Sequence, residues 1–249
     1  MGIMGIMGNY GTFELKVTNP QATGYDIRMI TRTPEPEVMD DQAEAAAYAQ
    51  ADFSAVNEAF VQRLLELAGD CPTARAVDLG AGPADIPIRL AKYRPGWELT
   101  AVEASGAMLE IAACNLLAAG LWDRVALVEA DAKDTGLDAG SYDVVFSNSI
   151  LHHMSDPAEL WAEIAQLAAP GALIFLRDLA RPESAEQAAE IVRRCAGSES
   201  QLLQEEFNRS LLAAYTVDEV RAQLAQAHLS RLEVAMSSDR HLDVWGRAR

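Results

Sequence analysis

Residues 74–85 read ARAVDLGAGPAD, an apolar run that carries Asp78 near its end and passes at once into a glycine-rich turn. Gly80 and Gly82 allow the backbone to turn tightly and let its N–H groups approach a ligand. Pro83 suits the first turn of a helix. The stretch therefore predicts a strand, a ligand-binding turn and a helix, in that order.

Along the rest of the chain, short apolar runs typical of strands alternate with segments whose apolar residues have helical spacing. The predicted strands are 74–79, 99–103, 125–129, 142–147 and 172–176, and the predicted helices are 84–92, 106–119 and 157–167. Residues 229–247 contain two further strand-like runs, typical of an antiparallel hairpin. We therefore expect an α/β fold with a mostly parallel seven-stranded sheet, helices on both faces and a C-terminal hairpin.

The ends of this core suggest a division of the chain. Residues 1–69 are expected to form an N-terminal arm and cap helices, since weak alternation over 10–32 gives way to Thr33-Pro34-Glu35-Pro36, which breaks regular structure, and then to a helical pattern. Residues 70–249 are expected to form one Rossmann-like domain with a charged helical insertion near 182–214. Thr216 followed by Glu219 predicts a capping box at the next helix.

The charge of the chain bears on its partners. A formal charge of −17 repels phosphate backbones, so no nucleic-acid partner is expected. The apolar runs are too short to span a bilayer, and the opening MGIMGIMG resembles neither a signal peptide nor an anchor, so no membrane partner is expected either. The basic residues that come closest to a cluster are Arg177, Arg181, Arg193 and Arg194.

The cysteines point to a cytoplasmic location. Cys71, Cys114 and Cys195 are widely spaced and form no CxxC pair, which fits a reducing compartment and gives no indication of a structural metal. Each is expected to be a small buried hydrophobe. A trio of thiols that binds a soft metalloid is the alternative.

Acidic residues lie at or just beyond the carboxyl ends of three successive predicted strands, at Asp78, Glu103 and Asp131. Ligands of open α/β sheets bind outside the carboxyl ends of the strands. The carboxylate of Asp78 suits a cationic amino group, and that of Glu103 suits a pair of ribose hydroxyls. Asp131 suits an exocyclic amine, although by itself an acid at this position is more often a loop residue than a ligand. A dinucleotide is disfavoured because Asp85 stands where the third glycine of that fingerprint belongs.

The segments VDLGAGPADIPIRLA, AVEASGAMLEIA, EADAKD, YDVVFSNSILHHMSDP and LAAPGALIFLRDL resemble the five successive motifs of class I, Rossmann-like S-adenosylmethionine-dependent methyltransferases, in order and over residues 74–179. The resemblance implies S-adenosylmethionine as cofactor. It places the glycines at the methionine part, Glu103 at the ribose, and Ser147 beside the sulfonium. The implied cofactor-binding residues are Asp78, Gly80, Ala81, Gly82, Glu103, Ala104, Met108, Asp131, Ala132 and Ser147.

The loop after the fourth strand limits the kinds of molecule that could accept the methyl group. It reads Ser147-Asn148-Ser149 and lacks the Asn/Asp-Pro-Pro-aromatic sequence of enzymes that methylate the amino groups of adenine or glutamine. A small-molecule acceptor, which no motif identifies, is therefore expected. In-line methyl transfer depends mainly on alignment, which supplies up to roughly 7–11 kcal/mol.

His152 and His153 follow that loop and are the candidate catalytic bases, with packing of the loop as their alternative role. Because adjacent residues point in different directions, only one is expected to face the acceptor, and His153 is preferred. The residues expected to orient a substrate, unless they form structural ion pairs or packing contacts, are Tyr48, Arg177, Asp178 and Arg240.

No metal is expected from the sequence. Two other functions stay open at this point. One is a non-catalytic module that binds S-adenosylmethionine, and the other is an NAD-dependent oxidoreductase that shares the sheet.

Overall fold

The computed structural model describes residues 30–35 and 53–249. The expected arm over 10–29, most of the first helical pattern and Tyr48 lie outside these residues. The division at residue 69 stays a prediction.

The centre of the molecule is one seven-stranded sheet. Its strands are β1 (Ala74–Leu79), β2 (Trp97–Glu103), β3 (Val125–Glu129), β4 (Tyr142–Asn148), β5 (Ala168–Leu179), β6 (Glu233–Met236) and β7 (His241–Arg247). The strand order is β3-β2-β1-β4-β5-β7-β6. The first five strands are parallel, and β7 runs antiparallel to both β5 and β6. The predicted fold class is confirmed.

Seven helices lie in the described part of the chain. They are α1 (Ser54–Ala68), α2 (Asp85–Tyr93), α3 (Gly106–Ala119), α4 (Ala158–Leu167), α5 (Ala185–Ala196), α6 (Gln201–Ala213) and α7 (Val217–Gln226). A single 3₁₀ turn, Leu151–His153, follows β4. The predicted capping box of α7 is present, with Thr216 and Glu219 bonded reciprocally.

Helices cover both faces of the sheet because alternate residues of each strand point to opposite sides. In β1, Val77 and Leu79 belong to one apolar cluster with α4 and α7, whereas Ala74 and Ala76 belong to the other with α1, α2 and α3. Phe60 of α1 stacks on Phe175 of β5 with ring centroids 4.7 Å apart. Helix α1 is thus part of the sheet's core.

Three strands are longer than predicted: β2 begins two residues earlier, β4 ends one residue later, and β5 extends at both ends. Strand β5 begins at Ala168 and continues to Leu179, because its first residue pairs with β4 and its final residues pair with β7. Pro170 and Gly171 inside the strand made its start look like a turn. The expected burial of the cysteines is wrong for Cys114 and Cys195, which are exposed.

Within residues 30–35 and 53–249, no helix combines the length and the apolar composition that a bilayer span needs.

Candidate functional site

The glycine turn lies at the carboxyl edge of the sheet. The backbone N–H groups of Gly80 and Ala81 both donate to the carbonyl oxygen of Val102, each at 2.9 Å. Gly80 and Gly82 have φ values of +74° and +53°. A Cβ on Gly80 would lie 2.7 Å from the side chain of Ile150, whereas one on Gly82 would meet nothing within 4 Å. The turn therefore packs against the loop after β4 and leaves open space at Gly82.

Two carboxylates converge on this turn. Glu103 accepts hydrogen bonds from the N–H of Gly82 at 2.8 Å and from that of Ser105 at 2.9 Å. Asp78 is 2% exposed, and its Oδ1 has no hydrogen-bond partner. Burial, and then the nearby charge of Glu103, hold the pKa of Asp78 well above its ordinary value. A buried acid of this kind needs a partner, and a cationic amino group would supply it.

The third acid occupies a more open position. Asp131 is exposed and accepts a hydrogen bond from the N–H of Lys133 at 2.9 Å. Ala130, just before it, donates to the carbonyl oxygen of Glu103 at 3.1 Å, which places this loop beside the second strand's end. Ala132 and Met108 are both buried. The assignment of these residues to an adenine ring stays a prediction.

Ser147 has a structural contact. The residue is 1% exposed, and its hydroxyl donates to the carbonyl oxygen of Leu79 at 2.6 Å, which ties the end of β4 to the end of β1. Ala104 is exposed in the loop before α3. Their predicted contacts with a cofactor remain predictions.

The 3₁₀ turn after β4 carries both histidines, and Asp178 anchors it. Asp178 Oδ1 lies 2.6 Å from Nδ1 of His152, and the same carboxylate accepts hydrogen bonds from the N–H groups of Leu151 at 2.6 Å and Leu179 at 2.7 Å. Burial alone would lower the pKa of His152, but the carboxylates of Asp178 and Glu35 outweigh it and leave that pKa raised. Burial opposes ionisation of Asp178, yet the charge of His152 lowers its net pKa.

Glu35 completes this cluster and was not among the site residues predicted from the sequence. Its Oε1 lies 3.4 Å from Nε2 of His152 and 3.1 Å from Nδ1 of His153, and Ser210 donates to it at 3.1 Å. The expectation that the two histidines diverge is wrong here, since their ring centroids are 4.1 Å apart and both reach one carboxylate. The available signal was a charged residue set between Pro34 and Pro36.

The segment that carries Glu35 is bound firmly to the domain. The guanidinium of Arg32 donates to the carbonyl oxygens of Ala213 at 2.6 Å, His152 at 2.9 Å and Met154 at 2.8 Å. It also lies over the ring of Tyr215, 4.0 Å from the centroid. Residues 30–35 thus join the histidine turn to the end of α6.

The other predicted substrate residues form ion pairs. Arg177 makes two hydrogen bonds to Asp243, at 2.6 and 2.8 Å, and Arg240 pairs with Asp239 at 2.9 Å. Asp178 belongs to the histidine cluster instead, apart from its neighbour Arg177. The remaining arginines that seemed to cluster in the sequence each pair with an acid: Arg181 with Glu219, Arg193 with Glu190 and Arg194 with Asp239.

Comparison with known proteins shows which family this arrangement of residues resembles. Residues 77–176, which contain the glycine turn, the three strand-end acids and the histidine turn, match the family described as a methyltransferase domain. This stretch of the chain is therefore similar to a methyltransferase domain. The strand order and the position of the glycine turn agree with this assignment, and the dinucleotide alternative loses its support.

Curated proteins are similar to a longer part of the chain than residues 77–176. The chain is 30% identical over 185 residues to the 27-O-demethylrifamycin SV methyltransferase of Amycolatopsis mediterranei, covering 72% of this chain and 63% of that protein. It is 32% identical over 128 residues to the ubiquinone biosynthesis O-methyltransferase of Xanthomonas euvesicatoria, covering 51% and 50%. The chain therefore spans less than two thirds of the length of either curated relative.

The solved structure of a SAM-dependent methyltransferase from Aquifex aeolicus has the same fold. The TM-score is 0.63 at 16% identity, covering 84% of this chain and 99% of that one. At this identity the likeness concerns the fold alone.

Proposed function

We propose that this protein transfers a methyl group from S-adenosylmethionine to a hydroxyl group of a small molecule. The observation that carries the proposal is the buried Asp78, which has an unpartnered oxygen beside Glu103 at the glycine turn of a methyltransferase domain. When bound, S-adenosylmethionine supplies an electrophilic methyl group on a sulfonium. Two neighbouring carboxylates stabilise a ligand that carries positive charge.

The same residues support a division of labour in cofactor binding. Asp78 would hold the amino group, and Glu103, already fixed by two backbone N–H groups, would accept hydrogen bonds from the ribose. Gly82 leaves the space in which a ligand can approach the backbone. Met108 would form the apolar wall of the adenine pocket, with Asp131 at its polar edge.

The names of two of the curated relatives favour a hydroxyl acceptor, since both describe methylation at oxygen. A hydroxyl must lose its proton during transfer, and the Glu35, His152 and His153 cluster offers the groups for this step. An ionised Asp178 can only accept, so it holds the proton of His152 on Nδ1 and leaves Nε2 directed toward Glu35. His153 is the more exposed of the two, with 27% of its side chain accessible.

The cofactor assignment is tested by calorimetry with S-adenosylmethionine and its demethylated product. Replacing Glu103 by Ala removes a charged acceptor of about 1.5–3 kcal/mol, so affinity should fall by about 10- to 150-fold. Glu110→Ala, an exposed acid on α3, is the matched control and should bind as the wild type does. Equal affinity in both variants, or no saturable binding at all, contradicts the assignment.

Turnover is tested by mass spectrometry on a panel of phenols, alcohols, amines, thiols and carboxylates. We expect methylated products from hydroxyl compounds, with His153→Ala losing about 10²- to 10⁴-fold in rate, the range of a general-base contribution. His228→Asn, a histidine remote in sequence whose positive φ of 58° Asn tolerates, serves as control. Tight cofactor binding without turnover of any compound would support the non-catalytic alternative and contradict the proposal.

A further inference from the structure

One compact group of metal-ligating side chains stands out among residues 30–35 and 53–249. It consists of Glu35, His152 and His153, whose ligand atoms all lie within 4.8 Å of one another. The two distances from Glu35 Oε1 to the ring nitrogens are 3.4 and 3.1 Å. In a tetrahedral site with bonds of about 2.0–2.1 Å, neighbouring ligand atoms are about 3.3 Å apart. The measured separations bracket this value.

We propose that Glu35, His152 and His153 bind a divalent first-row transition metal ion, with Zn²⁺ as the best-fitting member of that class. Two imidazoles and one carboxylate form a donor set that binds such ions and leaves further positions open for a substrate. The expectation of no metal rested on the absence of a CxxC pair and of histidines at zinc-finger spacing. The third ligand comes from a segment distant in the chain.

The atoms around the cluster are arranged as a metal site requires. Asp178 engages Nδ1 of His152 at 2.6 Å, so Nε2 is the nitrogen presented toward Glu35. A carboxylate that orients a metal-binding histidine in this way is a common partner in metal sites. Ser210 holds the carboxylate of Glu35 from the other side. Both ligands are therefore preoriented, and their side chains are only 4% and 8% exposed.

A cation would relieve an opposition of two acceptors whenever His152 is neutral. With its proton on Nδ1, a neutral His152 directs a lone pair of Nε2 at the carboxylate of Glu35, and two acceptors oppose each other. The separation of 3.4 Å exceeds the usual 2.7–3.2 Å range of an N–H···O bond but suits two ligands of one ion. Arg32 and Arg209 bring positive charge near the cluster, which the carboxylates of Glu35 and Asp178 offset. Affinity would therefore come from coordination more than from net charge.

The metal site deepens the proposed function and rests on it for its catalytic role. Ile150, just before the turn, packs over Gly80, so the cluster adjoins the proposed cofactor site. With the ion bound, the side chains of the cluster would act as its ligands and no longer as the proton acceptor. A hydroxyl that coordinates the ion would have a lowered pKa and would release its proton to solvent. Its oxygen then forms a bond to the methyl carbon while the methyl–sulfur bond breaks and its electron pair stays on sulfur. The acceptor class is accordingly a small molecule with a metal-binding hydroxyl group.

The test uses the full chain, freed of metal by a chelator and titrated with Zn²⁺ by calorimetry. We expect one equivalent to bind, with affinity reduced at least about 100-fold in Glu35→Gln and His153→Ala, and about 10- to 100-fold in Asp178→Asn, the usual effect of losing an orienting carboxylate. Glu183→Gln and His228→Asn are the matched controls, because both residues are exposed and lie outside the cluster. Both variants should bind Zn²⁺ as the wild type does. Co²⁺ gives a second measurement, because its visible absorption bands report the coordination number and geometry of the bound ion.

The outcomes separate this inference from the proposed function. Absence of saturable Zn²⁺ binding, or binding that Glu35→Gln leaves unchanged, overturns the metal site. If the chelated protein still binds the demethylated cofactor product and still methylates a hydroxyl compound at the same rate, the metal has no catalytic role and the imidazoles themselves accept the proton. If the cofactor product fails to bind while Zn²⁺ binds with the expected variant pattern, the metal site stands and the proposed function falls.

Discussion

Replacing Asp178 by Asn keeps the shape of the side chain and removes its charge at the centre of the histidine cluster. In the native protein, Oδ1 accepts hydrogen bonds from His152 and Leu179, and Oδ2 accepts one from Leu151. An Asn has one acceptor oxygen and one NH₂ group. In either orientation, that NH₂ group faces at least one buried backbone N–H that the carboxylate had satisfied.

The cost follows from these contacts. Losing a charge-assisted hydrogen bond costs about 1.5–3 kcal/mol, and a buried donor left unpaired costs about 1–3 kcal/mol more. We therefore expect the free energy of unfolding to fall by about 4 kcal/mol, as measured by urea denaturation. The pKa of His152 should also fall, because burial would then be opposed only by Glu35, and an NMR titration of the imidazoles would show it.

The control is Asp123→Asn, which changes an exposed carboxylate before β3. It should change stability by no more than about 0.5 kcal/mol, as surface substitutions do. If Asp178→Asn is equally mild and leaves the His152 titration unchanged, the buried hydrogen-bond network described above does not hold the turn, and the reasoning is refuted.

Three further predictions concern the sheet. Ser147→Ala removes the hydroxyl that donates to the carbonyl oxygen of Leu79 and should lower the unfolding free energy by about 0.5–1.5 kcal/mol, with cofactor affinity unchanged in calorimetry; the reverse pattern would place the hydroxyl at the ligand. Phe60→Ala should cost about 3–5 kcal/mol in urea denaturation, since it empties the stack on Phe175, and a loss below 1 kcal/mol would contradict that packing. Burial, then neighbouring arginines, lower the pKa of His241 from 6.5 to about 4, so the unfolded chain binds the extra proton and stability falls as pH drops through this window. His241→Gln should remove up to roughly 3 kcal/mol of that fall, and identical pH profiles would argue against it.

The five parallel strands were predictable because each is a local apolar run bounded by polar or turn-forming residues. The predicted limits of β1 and β3 agree with the structure. The ends of β5 were not predictable in the same way. Its first residues pair with β4 and its last residues pair with β7, and such pairing depends on strands that lie far away along the chain.

The strand-end acids were predictable for a related reason. In a parallel sheet, the carboxyl ends of neighbouring strands meet at one edge, so Asp78 and Glu103 had to lie near each other once the strands were recognised. The unpartnered oxygen of Asp78 could not be foreseen, because it depends on which donors the folded backbone brings within reach. Arg177 illustrates the opposite case, since its partner Asp243 is supplied by β7.

By itself, the sequence determined the order of the elements, the glycine turn and the acids after the first three strands, because local periodicity and strand direction settle all of them. Only the tertiary structure joined Glu35 to His152 and His153. Glu35 and its partner Ser210 are separated by 175 residues, and Asp178 reaches His152 from another strand. No spacing in the chain encodes that meeting, since it arises where residues 30–35 bind between α6 and the turn after β4.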